Sequence, residues 1–169
     1  MIMTILKYGA PSLREASQPV EKFDEGLEKL TADMFETMYA APGVGLAAPQ
    51  VGVNIRLIAI DISGGKEPDN RIILCNPRVI ASEGAQEGEE GCLSVPDFYE
   101  SLARPMKVAV EAQNVKGESF RIEGEGLLAR AICHEIDHLD GVMFVDRLSP
   151  LKRAIVRGKI KKLIKSGKW

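Results

Sequence analysis

Apolar residues recur at steps of three and four along one stretch near the N-terminus: Leu27, Leu30, Met34 and Met38 share a face. That period predicts an amphipathic helix over 24–40, with Asp24 as its N-cap and the methionines as apolar filler in a core. Before it, residues 1–22 carry Pro11 and Pro19 and read as an irregular arm anchored by Leu6, Tyr8 and Leu13. After it, Pro42-Gly43 stops the helix. Residues 43–52 (GVGLAAPQVG) are small, apolar and Gly-rich, with Gln50 as the one polar side chain. They lack the Lys-Ser/Thr of a phosphate loop and the dinucleotide spacing. Two readings stand: a loop packed under the core, or a backbone edge close to a ligand with Gln50 as donor.

Further on, residues 55–60 read as a strand, 64–70 as a turn and 72–75 as a second strand. Asn76-Pro77 closes that strand, and 79–81 continues extended. Residues 87–96 (EGEEGCLSVP) read as a bent segment rather than a packed element. The alternation Lys107-Val108-Ala109-Val110-Glu111 predicts a strand over 106–114, with a turn at 114–117 and a return strand over 119–123. A helix follows over 125–140, then an extended piece over 142–145. Ser149-Pro150 opens a last helix, Ser as cap and Pro at its first position, with Val156, Ile160, Leu163 and Ile164 as the apolar stripe.

Composition adds limits. At 169 residues, the chain reads as a single domain over 1–169, large enough for a real core. No apolar run approaches the roughly 20 residues of a membrane span. The start, Met1 to Leu6, lacks the basic lead and long apolar region of a signal peptide, and Met3 is an alternative start. Three widely spaced cysteines, Cys75, Cys92 and Cys133, argue against a disulfide framework and for the reducing cytoplasm. Charge is uneven. Of 22 Lys and Arg, eight fall in 149–169, which holds no Asp or Glu. The first 148 residues therefore carry 14 basic against 24 acidic side chains, a net of −10.

The chemistry concentrates in Cys133-His134-Glu135-Ile136-Asp137-His138. Both histidines of the chain are here. On a helix, residues four apart lie on one face about 6 Å apart along the axis, so two imidazoles can grip one ion. Glu135 lies between them as a general-base candidate. This is the H-E-x-x-H pattern. A catalytic site of this kind takes a third protein ligand. The three-histidine metalloprotease extension fails at Phe144, although Gly141 matches; Gly141 reads instead as the helix stop. The third ligand must then be Cys, Asp or Glu. Cys133 points away from the shared face, at about 100° per residue. Cys75 ends an apolar strand and reads as a buried hydrophobe. Cys92, among glycines and acids, is the better candidate. Asp137 reads as a solvated helix residue in preference to its other reading, a buried partner that orients other groups of the site.

Three stretches, GVGLAAPQ (43–50), EGCLS (90–94) and HEIDH (134–138), in this order and at these intervals resemble the peptide deformylase family, and the opening ILKYGAPSLR and the tail resemble its bacterial form. The resemblance implies Cys92, His134 and His138 as metal ligands and Glu135 as general base and then acid. It implies Gln50 (side-chain amide) and Leu93 (backbone N–H) as donors to an oxyanion, and Gly45 as a backbone contact for substrate. It implies one divalent metal, Fe²⁺ in the cell, with Zn²⁺, Ni²⁺ or Co²⁺ able to occupy the same site. The implied reaction removes the N-formyl group from the initiator methionine of a new polypeptide and releases formate.

The methionine side chain should lie beside His134, where Leu127, Arg130 and Ala131 precede it on the same helical face. Arg130 suits such a pocket only if its stem packs and its head reaches water. The expected fold is α+β: antiparallel strands wrapped around the histidine helix, with a helix near each end. The basic segment 149–169 reads either as a solvated helix face or as a contact for ribosomal RNA. Two other classes stand beside a deformylase: a small zinc endopeptidase, and a non-catalytic ribosome-associated metal-binding module.

Overall fold

In the computed structural model, which describes residues 1–169 apart from the side chain of Pro68, the chain begins as an arm with little regular structure. The turn expected over 64–70 is described except for that side chain. The arm has one 3₁₀ turn, Pro11–Arg14, whose Leu13 is buried. Helix α1 (Glu25–Ala40) follows. Asp24 caps it, its Oδ1 accepting from the Leu27 N–H at 3.0 Å, a cap worth about 1 kcal/mol. Then come β1 (Gly45–Ala47), β2 (Leu57–Ile60), β3 (Ile72–Glu83), β4 (Gln86–Cys92), β5 (Val95–Arg104), β6 (Lys107–Gln113) and β7 (Ser119–Glu125). Helices α2 (Leu127–Leu139) and α3 (Pro150–Lys165) complete the order.

Five strands form one antiparallel sheet in the order β1-β2-β3-β6-β7, and β4-β5 form a separate hairpin. All four β2 residues are buried. Leu57 and Ala59 join the apolar cluster that includes Leu27, Met34, Phe35 and Met38 of α1. Ile58 and Ile60 join the cluster that includes Ala129, Ile132 and Leu139 of α2. Side chains of a strand alternate between faces, so β2 feeds a core on each side. A third cluster gathers Leu13, Phe144, Val156 and Ile160 around the arm and α3. The architecture is α+β, with the sheet and the hairpin flanking α2.

Several elements differ from their sequence reading. The strand over 55–60 begins only at Leu57, because Ile55 makes an isolated bridge to Gln18. The two pieces 72–75 and 79–81 are one strand; Asn76-Pro77 falls at a register shift, so the proline occupies a bulge instead of ending the strand. The bent segment 87–96 is mostly hairpin. Its polar, Gly-rich sequence hides the strand period because Glu90 faces inward as a buried charge, paired with Arg104 of β5. Of the extended piece 142–145, Met143 is extended but Phe144 and Val145 belong to a 3₁₀ turn, Phe144–Arg147. In α3 only Val156 and Ile160 of the expected stripe are buried, and Ile164 is half exposed. The Gly-rich stretch contains β1 and a 3₁₀ turn, Ala48–Val51.

Helix α2 is buried on most of its circumference, and among the polar side chains it buries are His134, Glu135 and His138. Its end is closed at Gly141, φ +74°, a left-handed position that costs glycine little. The Leu139 carbonyl, without a partner inside the helix, accepts from Ser17 N–H (2.8 Å) and from Arg56 (3.2 Å).

Candidate active site

The helical spacing of four brings the His134 and His138 rings to 5.0 Å between centroids. The end of β4 delivers Cys92, whose Sγ lies 3.3 Å from His138 Nε2. One ligand atom from each of the three residues lies within 4.8 Å of the others. A tetrahedral ion with metal–sulfur and metal–nitrogen distances of about 2.3 and 2.0–2.1 Å needs donor separations of about 3.5 Å. Two imidazole nitrogens and one sulfur at this spacing fit a divalent transition metal. Cys133 and Cys75 are not part of this group. Burial pushes the Cys75 thiol up to about 11 and also raises Cys133.

His134 is oriented by a residue the sequence reading missed. Its Nδ1 donates to Glu90 Oε2 at 2.6 Å, which leaves the Nε2 lone pair for a ligand role. Glu90 is buried and also accepts from Arg104 (3.0 and 2.7 Å) and from Arg130 (3.0 Å). Burial would raise this carboxyl, but the bonds from His134 and Arg104 hold it down at about 2. Nothing in the acidic run 87–90 marks Glu90 apart from its neighbours; Glu87 and Glu89 are exposed. Asp137 departs from the favoured solvated reading: it is largely buried and accepts from Arg104 (2.8 Å) and Arg147 (2.5 and 2.8 Å). Phe144, the residue that excludes a third histidine, stacks on the His134 ring at 6.2 Å.

Glu135 sits beside the three donors, with Oε1 3.9 Å from His134 Nε2. Burial pushes its carboxyl up to about 7, although His134 and Arg104 oppose the rise. Its Oε2 is buried with no hydrogen-bond partner among the described residues, an acceptor aimed at something the protein itself does not supply. His138 is pushed down by burial and then by His134 and Arg104. Gly45 explains itself here: a Cβ at this position would lie 2.8 Å from Glu135 Oε1.

Gln50 is buried, its Oε1 accepting from Ala47 N–H at 2.9 Å. That bond points the amide nitrogen at Ser94 Oγ (3.1 Å) and Cys92 Sγ (3.7 Å). The N-terminal arm straps both segments, with Leu6 N–H on the Gln50 carbonyl (2.7 Å) and Tyr8 N–H on the Ser94 carbonyl (2.8 Å). Leu93 packs against Gly43, where a Cβ would meet its Cδ1 at 2.7 Å.

A cavity of about 510 Å³ opens over this group, with Gly45, Cys92, Leu93, His134 and Glu135 in its lining. Leu127, Arg130 and Ala131 line it as well, so the helical face chosen from spacing is the one that faces the cavity. Arg130 departs from expectation. Its head does not reach water: it is buried and donates to Glu90 and to the Leu102 carbonyl (3.2 Å). Leu127 is half exposed at the rim. Among the described residues no helix is long and apolar enough to cross a membrane.

A family model described as polypeptide deformylase matches residues 2–154. A peptide deformylase of Acidobacterium capsulatum is 52% identical over 169 residues, covering 100% of this chain and 99% of that protein. One from Acinetobacter baumannii is 50% identical over 165 residues, covering 97% and 93%. The crystal structure of a peptide deformylase from Legionella pneumophila superposes with a TM-score of 0.91 at 50% identity, covering 99% and 98% of the two chains.

Proposed function

The chain belongs to the polypeptide deformylase family, and from that premise we propose that this site hydrolyses the N-formyl group from the N-terminal formyl-methionine of newly made polypeptides, releasing formate. The observation that carries the reading is one juxtaposition. A sulfur and two imidazole nitrogens lie within one ion's reach, beside a buried carboxylate oxygen without a partner and below an open cavity.

Cys92, His134 and His138 would hold the metal. A soft sulfur with two imidazoles suits Fe²⁺, Zn²⁺, Ni²⁺ or Co²⁺. We take Fe²⁺ as the metal in the cell, which the cysteine ligand would make sensitive to oxygen. When bound, the metal supplies Lewis acidity and lowers the pKa of a water from 15.7 toward about 7. Glu135, raised to about 7, is poised to accept a proton from the attacking water and return it to the leaving amine. Gln50 Nε2 and the Leu93 N–H are the donors for the charge that develops on the formyl oxygen, and one such donor contributes a factor of roughly 10²–10³. The backbone edge at Gly45 meets the substrate chain. Leu127, Ala131 and the stem of Arg130 receive the methionine side chain.

Formate release from formyl-Met-Ala-Ser by protein purified anaerobically with its metal identified tests this reading. Turnover should appear in the wild type and be nearly abolished in Glu135→Gln, which should keep its metal. Casein digestion without formate release would mark an endopeptidase. Bound metal without any turnover would mark a binding module.

A basic face on α3 supports ribosomal RNA as a partner. Lys159, Lys161, Lys162 and Lys165 are exposed, and no acidic partner is within reach of them among the described residues. Reversing these four charges should abolish salt-sensitive co-sedimentation with ribosomes and spare formate release. The unpaired cysteines support a reducing compartment, the cytoplasm.

A further inference from the structure

One wall of the cavity is made by Pro96, Asp97 and Tyr99 at the start of β5. Tyr99 and Glu100 point to opposite sides, as neighbours on a strand must. Phe98 lies on the Glu100 side, away from the cavity, and both meet the C-terminal segment. The Phe98 ring meets the Trp169 indole edge-on at 6.1 Å. Lys152 Nζ of α3 lies 3.8 Å from Glu100 Oε2.

Trp169 is itself held. Its Nε1 donates to the Tyr8 carbonyl at 2.9 Å, and the Lys7 ammonium lies 5.9 Å from its ring. The N–H of the same residue, Tyr8, donates to the Ser94 carbonyl, in the turn joining β4 to β5. Trp169, Phe98 and Cys92 pack against one apolar cluster. The wall also contains a strained residue: Asp97 sits at φ +69°, where an L side chain is disfavoured unless its surroundings hold it.

We propose that Trp169 is a positioning residue for the peptide substrate. By backing Phe98 it keeps the Pro96–Tyr99 wall in the shape that receives the chain, so the segment after α3 takes part in substrate binding. This rests on the cavity being the formyl-peptide site. The hydrogen bond and ring contacts of Trp169 go to Tyr8, Phe98 and Lys7, so its influence falls on binding rather than on the chemical step.

Steady-state kinetics of the metal-loaded enzyme on formyl-Met-Ala-Ser test it. Trp169→Ala should raise KM by about three- to tenfold, the scale of one lost aromatic pair, with kcat within about twofold of wild type. Trp169→Phe should restore KM. The chain has a single tryptophan, so wild-type emission reports this residue alone, and it should change when the product peptide Met-Ala-Ser saturates the site. A wild-type KM in Trp169→Ala would overturn the proposal. So would emission indifferent to saturating Met-Ala-Ser, a measurement that needs no variant to fold. Formate release by the wild type tests the assigned reaction separately: an active wild type with an unaffected Trp169→Ala sinks this proposal alone.

Discussion

Glu90 Oε2 and His134 Nδ1 are 2.6 Å apart although 44 residues separate them in the chain. The bond fixes the face His134 shows to the proposed metal. Glu90 in turn is fixed by two arginines that reach it from β5 and α2.

Replacing Glu90 by Gln should weaken metal binding by about 10- to 100-fold, the usual effect of losing a carboxylate behind a ligating histidine. Competition with a chromogenic chelator, well below the thermal midpoint, measures this. The temperature matters because Arg104 and Arg130 also lose a buried anionic partner. Wild-type affinity would remove Glu90 from the site.

Gly45→Ala should damage the chemical step without removing the metal. The new Cβ would lie 2.8 Å from Glu135 Oε1, so the carboxylate must move. A shift of about 1 Å can cost up to about 10²-fold in rate. Metal content by elemental analysis should match wild type while kcat falls; an unchanged kcat would show that Glu135 need not sit where it does.

Arg130→Ile should lower stability by about 1–3 kcal/mol, because the buried Leu102 carbonyl loses its charged donor and Glu90 loses one of three partners. Preference for formyl-Met over formyl-Ala substrates should survive, since Leu127 and Ala131 still face the cavity. Urea unfolding and a two-substrate comparison read the two effects apart.

Far from the metal ligands, Asp61 is fully buried and accepts from Tyr39 (2.5 Å), from Ser63 N–H (2.9 Å) and Oγ (2.6 Å), and from Gly65 N–H (3.2 Å). Burial would raise its carboxyl, yet the bonds from Ser63 and Tyr39 outweigh that and hold it below 3.8. A depressed folded pKa contributes stability in full above the unfolded value, and loses it as pH falls through the folded one. Asp61→Asn should therefore unfold at lower urea than wild type at pH 7, by about 1 kcal/mol or more, and the gap should narrow as the pH falls below the ordinary aspartate range. A gap independent of pH would contradict it.

What the sequence made legible follows from periodicity and local chemistry. The α1 face, the β6–β7 hairpin and the helix bearing both histidines obey a single period each, so neighbours in sequence suffice. The β4–β5 hairpin does not, because its inward positions include Glu90 and Arg104, which no apolar pattern can flag. Arg130 is hidden for the same reason. A lone arginine on a helix reads as one that must find water, and its partner lies 40 residues away. Asp137 became buried only because Arg104 and Arg147 arrive from distant elements.

Strand β2, with one face in each of two cores, also has a kinetic meaning. Its residues Ile58, Ala59 and Ile60 pair with β1 on one side and β3 on the other. Local opening therefore offers their amides no route to solvent, and they should exchange hydrogen for deuterium only when the whole molecule unfolds. Metal bound by the native state alone would slow that exchange by the factor 1 + [M]/Kd. Three amides outside the ligand set thus become a clock for metal occupancy.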